Sequence, residues 1–192
     1  MLYQVIKGAF GQDLVTEVER RAEKLPASSG ATVEHDEAKT RQCELRWFKH
    51  GSDDFAWLEQ EVFKFLEQAG AVDPKASVME DIQHTVYGPG NFHDWHIDAY
   101  RRSYNLYDLP LGHRFIGTQR KVSLSILLND ASEFEGGPFE ITMFPNGRNT
   151  VGTAMTDFSQ AGDAAVFDSG LCHRVAPVTK GVRRSLVVWI CG

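Results

Sequence analysis

Trp95-His96-Ile97-Asp98 places an imidazole and a carboxylate two positions apart, and His173 offers a second imidazole near the C-terminus. In a β-strand, residues two apart project from the same face, so His96 and Asp98 on one strand would point together. Two neutral imidazoles and one carboxylate, with half of the coordination sphere left open, are the donor set of a non-haem ferrous site. The competing readings are ordinary ones: a surface His–Asp pair, and a hydrogen-bonded core histidine at 173. His93 lies at odd spacing from His96 and is expected to stay off the metal. His35, His50, His84 and His113 have no partner pattern and are expected to be structural or exposed. Cys172, beside His173, should face away as a buried thiol.

Such a clamp needs rigid strands to hold it. The chain opens with strand-like Leu2 to Ile6, followed by Phe10 to Lys24, where Leu14, Val15 and Val18 mark one helix face. Leu25-Pro26-Ala27-Ser28-Ser29-Gly30 ends that helix by removing a backbone donor and adding flexible residues. A polar loop is expected to about Arg41, then a short strand from Cys43 to Phe48. Ser52 or Asp53 can cap a second helix whose Phe55, Trp57, Leu58, Val62, Phe63, Phe65 and Leu66 recur at near-helical spacing, and Gly70 closes it.

Beyond Pro74 the period shortens to two. Ile82, His84 and Val86 share one face, and Gln83, Thr85 and Tyr87 the other. Gly88-Pro89-Gly90-Asn91 signals a turn, and Phe92 to Ala99 is the expected strand bearing the clamp. Residues 100–119 form a long irregular segment with Arg101, Arg102, His113 and Arg114 against Asp108, the composition of a solvated loop or a substrate lid. Lys121 to Leu128 alternates again, with Val122, Leu124, Ile126 and Leu128 opposite Ser123, Ser125 and Leu127. A greasy face and a small hydroxylated face suit a strand with helices outside and a polar pocket inside.

Asn129 to Pro138 is turn-rich and leads to a strand at Phe139 to Met143, after which Pro145-Asn146-Gly147 marks a hairpin turn. Further short strands are expected at Thr150 to Met155, Ala164 to Phe167 and His173 to Val178. Arg183 to Cys191 reads as a central strand, apolar on both faces. Helices first and many short strands after give a mainly β fold, a sandwich or jelly roll buttressed by N-terminal helices.

Composition restricts the function classes. With 192 residues, 42% hydrophobic and 24% charged, one domain is expected: a helical buttress over about residues 1–75 and a β-core over about 78–191. A net charge of −6 gives no global attraction to nucleic acid or anionic lipid. Three cysteines without metal or redox spacing, and no apolar run of signal-peptide or membrane length, point to a cytoplasmic protein.

Gln83-His84-Thr85-Val86-Tyr87-Gly88-Pro89-Gly90-Asn91-Phe92-His93-Asp94-Trp95-His96-Ile97-Asp98 resembles the core signature of 2-oxoglutarate- and Fe(II)-dependent dioxygenases of the prolyl 4-hydroxylase-like branch. The resemblance continues through Ser125 to Glu140 with Gly136-Gly137, and through Ala161-Gly162-Asp163 to Trp189, where Arg183 follows His173 by ten positions. It covers roughly residues 80–190, with weaker echoes around Arg41 to Phe48, and implies a double-stranded β-helix, itself a jelly roll. It also implies that His96, Asp98 and His173 hold Fe(II), and that 2-oxoglutarate and O2 are consumed, with ascorbate in support.

Arg183 is then the candidate for the far carboxylate of 2-oxoglutarate, since a planar guanidinium makes paired charge-assisted bonds to it. Arg184 projects to the opposite face, and strand parity alone does not choose between the two. Trp189 is expected to wall the cosubstrate pocket, with Tyr87, Ser125 and Ser123 supplying hydroxyls. The implied reaction is hydroxylation of an unactivated C–H bond, of a peptidyl proline or similar residue. A small molecule such as a free amino acid is the second reading. A non-catalytic jelly-roll binding or sensing module, or a hydrolytic zinc site, would use the same residues differently.

Overall fold

Both runs with helical spacing form helices, and both precede the strands that carry the clamp. The computed structural model describes residues 2–30, 32–33, 39–73, 77–99, 102–105 and 109–192. His35, Pro74, Arg101 and Asp108 lie outside the described residues. In chain order the first elements are β1 (Tyr3–Ile6), α1 (Gln12–Ala22), β2 (Ser28–Ser29), β3 (Thr32–Val33), β4 (Lys39–Gln42), β5 (Glu44–Phe48) and α2 (Asp53–Gln68). Next come β6 (Val78–Met79), β7 (Ile82–Tyr87), β8 (Phe92–His96), β9 (Arg120–Leu127), β10 (Phe134–Gly136) and β11 (Phe139–Thr142). The last are β12 (Thr153–Ala154), β13 (Ala164–Asp168), β14 (Cys172–Val175), β15 (Val178–Gly181) and β16 (Arg183–Cys191).

Two antiparallel sheets face each other as a jelly roll. The larger runs β1-β13-β9-β16-β7-β5-β2, with β6 also on β16, and the smaller runs β12-β11-β14-β8-β4-β3. Strand β16 is central, bonded to β9 on one side and β7 on the other. Period-two alternation explains the layering. Leu124, Ile126, Leu186, Val188 and Ile190 turn to the outer face and pack under Val15 and Val18 of α1 and Leu58, Val62 and Leu66 of α2. The inner residues Tyr87, Leu127, Phe139, Phe167 and Val175 form a second cluster between the sheets. Helix α2 begins where expected: the Ser52 hydroxyl accepts the Phe55 backbone N–H, satisfying one of the orphan donors of the first turn.

The differences from expectation lie at edges and breaks. The polar stretch before Arg41 is not all loop, because β2, β3 and β4 add to sheet edges through pairings that only the folded chain supplies. The clamp strand stops at His96, short of Ala99. The N–H groups of both Asp98 and Ala99 leave the ladder for the Ser169 carbonyl, at 2.9 and 2.8 Å. The expected strand at Thr150 to Met155 shrinks to β12. Pro145-Asn146-Gly147 leads into a one-turn 3-10 helix at Gly147–Asn149 and not a tight hairpin. The run from His173 to Val178 divides into β14 and β15 at Pro177, which has no N–H for a ladder. The inner face of strand β16 is mixed and not wholly apolar: it buries Arg183 and Ser185 beside Val187 and Trp189. No helix among the described residues is long and apolar enough to cross a membrane.

Candidate metal centre

β8 and β14 lie side by side, with His96 directly opposite His173. The Asp98 carboxylate, just past the end of β8, reaches both rings: Nε2 of His96 is 3.7 Å from one oxygen and Nε2 of His173 is 3.6 Å from the other. One donor atom from each residue lies within 4.8 Å of the others. These separations exceed a hydrogen bond, and Oδ2 of Asp98 is buried without a hydrogen-bond partner among the described residues. Donors about 2 Å from one shared cation would stand about this far apart, so the three residues fit a metal ion.

Backbone carbonyls fix the rings. Nδ1 of His96 donates to the Asp94 carbonyl at 2.7 Å, and Nδ1 of His173 to the Leu171 carbonyl at 2.9 Å, which leaves both Nε2 lone pairs facing Asp98. Burial, with His173 close by, brings the His96 pKa down to about 4, so its ring is neutral at physiological pH. Burial alone would push the Asp98 carboxyl up, but His173 and His96 outweigh it and hold it below its ordinary value. Arg120 positions the carboxylate from behind. It pairs with both oxygens of Glu80, at 2.8 and 2.6 Å, lies 4.0 Å over the Trp189 ring and donates to the Asp98 carbonyl at 3.3 Å.

A narrow cavity opens from the donors between the sheets. Tyr87, Ser125 and Trp189 line it, as do Gln83, Ser185 and Val187, with Phe139, Phe167 and Val175 as apolar walls. Beside it lies Arg183, 1% exposed, between the rings of Tyr87 and Phe158 at 5.7 and 5.9 Å. Its Nη1 donates to the Ser185 hydroxyl at 3.0 Å, and its Nη2 is buried without a partner among the described residues. Burial lowers this guanidinium to about 10, still charged at neutral pH. A buried cation without a counter-ion is costly unless an anion joins it.

The structure answers the parity question that sequence left open. Arg184 turns outward to Glu19, at 3.4 Å. Gly136-Gly137 shapes this corner. Both residues have positive φ, and a Cβ on Gly137 would stand 2.7 Å from Val178 Cγ2 and 3.4 Å from Arg183 Cδ. The pair therefore leaves room for the arginine stem.

The remaining candidates fall elsewhere. Ser123 is buried against the Ser169 hydroxyl at 2.9 Å. His84 faces the helices and meets Glu19 at 3.2 Å, and His50 meets Asp81 at 2.5 Å. Arg114 turns to His50, Glu59 and the Met79 carbonyl. His93 is outside the donor group, but the parity argument for its position fails. Between the pairs His173–His96 and Val175–His93, β8 has one residue more than β14, and this bulge turns His93 inward to stack on His96 at 3.6 Å. Arg41, which sequence reasoning left unassigned, also lines the cavity. Its local signals are weak: it opens the faint resemblance over Arg41 to Phe48 and shares parity with Cys43, whose sulfur accepts its Nε–H at 3.1 Å.

The profile of the 2OG-Fe(II) oxygenase superfamily matches residues 82–191. A PKHD-type hydroxylase of Xylella fastidiosa (strain 9a5c) is 31% identical over 106 residues, covering 54% of this chain and 41% of the relative. One from Aliarcobacter butzleri is 39% identical over 69 residues, covering 36% of this chain and 27% of the relative. The chain thus matches well under half the length of these relatives. Among solved structures, the viral collagen prolyl hydroxylase of Paramecium Bursaria Chlorella virus-1 has a TM-score of 0.64 at 18% identity, over 100% of this chain and 97% of that one. A Pseudomonas putida prolyl-4-hydroxylase has a TM-score of 0.59 at 20% identity, over 98% and 91%. At these identities the two structures establish the fold.

Proposed function

Because this chain belongs to the 2OG-Fe(II) oxygenase superfamily, we propose that it hydroxylates an unactivated C–H bond on a proline or similar residue, with Fe(II), 2-oxoglutarate and O2. The observation that carries this reading is one cavity lined by the His96, Asp98 and His173 donors and by Tyr87 and Ser185, directly behind which the buried Arg183 guanidinium lies with its Nη2 unpartnered among the described residues. The proline-like acceptor is taken from the prolyl hydroxylases among the solved structures that share this fold.

When bound, ferrous iron and the keto acid supply the oxidising chemistry: one oxygen atom enters the substrate, and the other leaves in succinate as CO2 is released. The protein supplies the setting. His96, Asp98 and His173 would hold the metal on one side, leaving its other positions for cosubstrate and oxygen. Arg183 would take the far carboxylate of 2-oxoglutarate, with Ser185 steering its guanidinium. Burial pushes the Tyr87 phenol up to about 12, so it keeps its proton and can donate to a cosubstrate oxygen. Trp189 and Ser125 wall the chamber. Phe139, Phe167 and Val187 exclude water, which strengthens each electrostatic contact inside.

The test is succinate formation from 2-oxoglutarate with Fe(II), ascorbate and O2, followed by mass spectrometry for a product one oxygen heavier. Metal analysis after anaerobic loading should find about one iron per chain, lost in His96→Ala. Hydrolytic turnover with zinc, or iron binding without any keto-acid consumption, would sink the reading.

A further inference from the structure

The cavity contains a second guanidinium that the proposed reaction leaves unused. Arg41 on β4 stands opposite His93 on β8 in antiparallel register, and both side chains line the chamber. The Nε–H of Arg41 goes to the Cys43 sulfur, a weak acceptor, and Nη2 is buried without a partner among the described residues. Among the described residues lining the chamber, Asp98 is the one carboxylate, and it faces the imidazoles. Arg41 and Arg183 approach from opposite sheets. Arg183 is the register partner of Tyr87 in the larger sheet, whereas Arg41 is three residues of β8 away from His96 in the smaller one. An anion joining metal to Arg183 would use that guanidinium and leave Arg41 facing the same chamber with its Nη2 still unpartnered among the described residues.

Charge counting leads to the same place. Asp98 and 2-oxoglutarate bring three negative charges, balanced by ferrous iron and Arg183. Among the described residues Arg41 is then left without a counter-charge, and a guanidinium facing an enclosed chamber favours an anion as its partner. The group still to enter is the substrate.

We propose that Arg41 anchors a free carboxylate on the molecule that is oxidised. The substrate class is thereby an amino or imino acid, or the C-terminal residue of a peptide, and not a residue within a chain. The backbone of an internal peptide residue offers only neutral amides, which would leave the guanidinium uncompensated; the carboxylate of a free or C-terminal residue accepts two parallel charge-assisted bonds from it. This inference rests on the hydroxylase reading above.

The test uses the anaerobic protein loaded with Fe(II) and 2-oxoglutarate, followed by the visible charge-transfer absorption between metal and keto acid. Free amino acids including L-proline, their amides, dipeptides ending in each residue, and C-terminally amidated tripeptides with that residue central are titrated in. At least one free acid or C-terminal dipeptide should perturb the absorption, with its matched amide and tripeptide weaker by on the order of 10- to 100-fold, the loss of a charge-assisted pair. Which of the two binds identifies the source of the carboxylate.

Arg41→Gln should weaken that acid by a similar factor while changing 2-oxoglutarate affinity less than about threefold, and Arg41→Lys should recover part of the loss. The lysine variant and a circular dichroism melt separate this effect from misfolding. Amides or central residues binding as well as acids, no carboxylate perturbing the absorption, or Arg41→Gln weakening 2-oxoglutarate instead would each overturn the proposal. Failure of the wild-type absorption to form at all would refute the hydroxylase reading itself.

Discussion

Replacing Arg183 and replacing His96 should damage different things. Arg183→Gln should retain iron but raise the 2-oxoglutarate requirement by roughly 10- to 100-fold, the scale of a lost charge-assisted pair; His96→Ala should lose the iron. Gly137→Ala should imitate the arginine variant more mildly, since its methyl presses on Val178 and the Arg183 stem. Titrating cosubstrate against iron-loaded protein checks all three, and equal loss of metal in every variant would contradict the division. The positions of His96, Asp98, His173 and Arg183 were legible because their order and spacing form a long, specific pattern. Asp98 nonetheless converges from beyond the strand end, held by the Ser169 carbonyl and not by strand alternation. Arg41 was illegible because it joins the site by edge pairing with β8, and His93 was misplaced because a bulge shifts parity without leaving a mark in composition.

At the level of elements, the helices were readable because their apolar spacing and caps are local, whereas two-residue strands depend on partners far along the chain. Helix α2 gives the measurable case. Ser52→Ala should cost about 1 kcal/mol through the lost cap. Leu58→Ala should cost about 2–5 kcal/mol, because Leu58 is fully buried between α2 and the large sheet. Denaturant unfolding would register both as lower midpoints at unchanged slope. Strand β16 shows why alternation has to be read with chemistry in mind: Leu186, Val188 and Ile190 serve the helices, and the intervening residues serve the cavity.

Across the whole molecule, the Gly162-Asp163 pair ties the N-terminal segment to the β-core. The Asp163 carboxylate accepts from Lys7 and from the backbone N–H groups of Gly8, Ser159 and Gln160. A Cβ on Gly162 would strike the Phe10 carbonyl at 2.0 Å. Burial alone would raise the Asp163 pKa, but Lys7 and the three backbone donors bring it below the ordinary 3.8. Its stabilisation is therefore complete above that pH and lost as pH falls through the lowered value. Asp163→Asn should cost about 1–3 kcal/mol at neutral pH and remove this part of the acid-side decline, measured by unfolding between pH 6 and roughly 2. The motif was visible in sequence, but its role was not, because Lys7 and Phe10 lie over 150 positions away. The direct opposition of His96 and His173 carries one more consequence. A shared ion would rivet β8 to β14, so iron supply would govern how often this half of the barrel breathes. Amide protons of Phe92–His96 and Cys172–Val175 should exchange with deuterium more slowly once the metal is loaded, while those of α1 and α2 keep their pace.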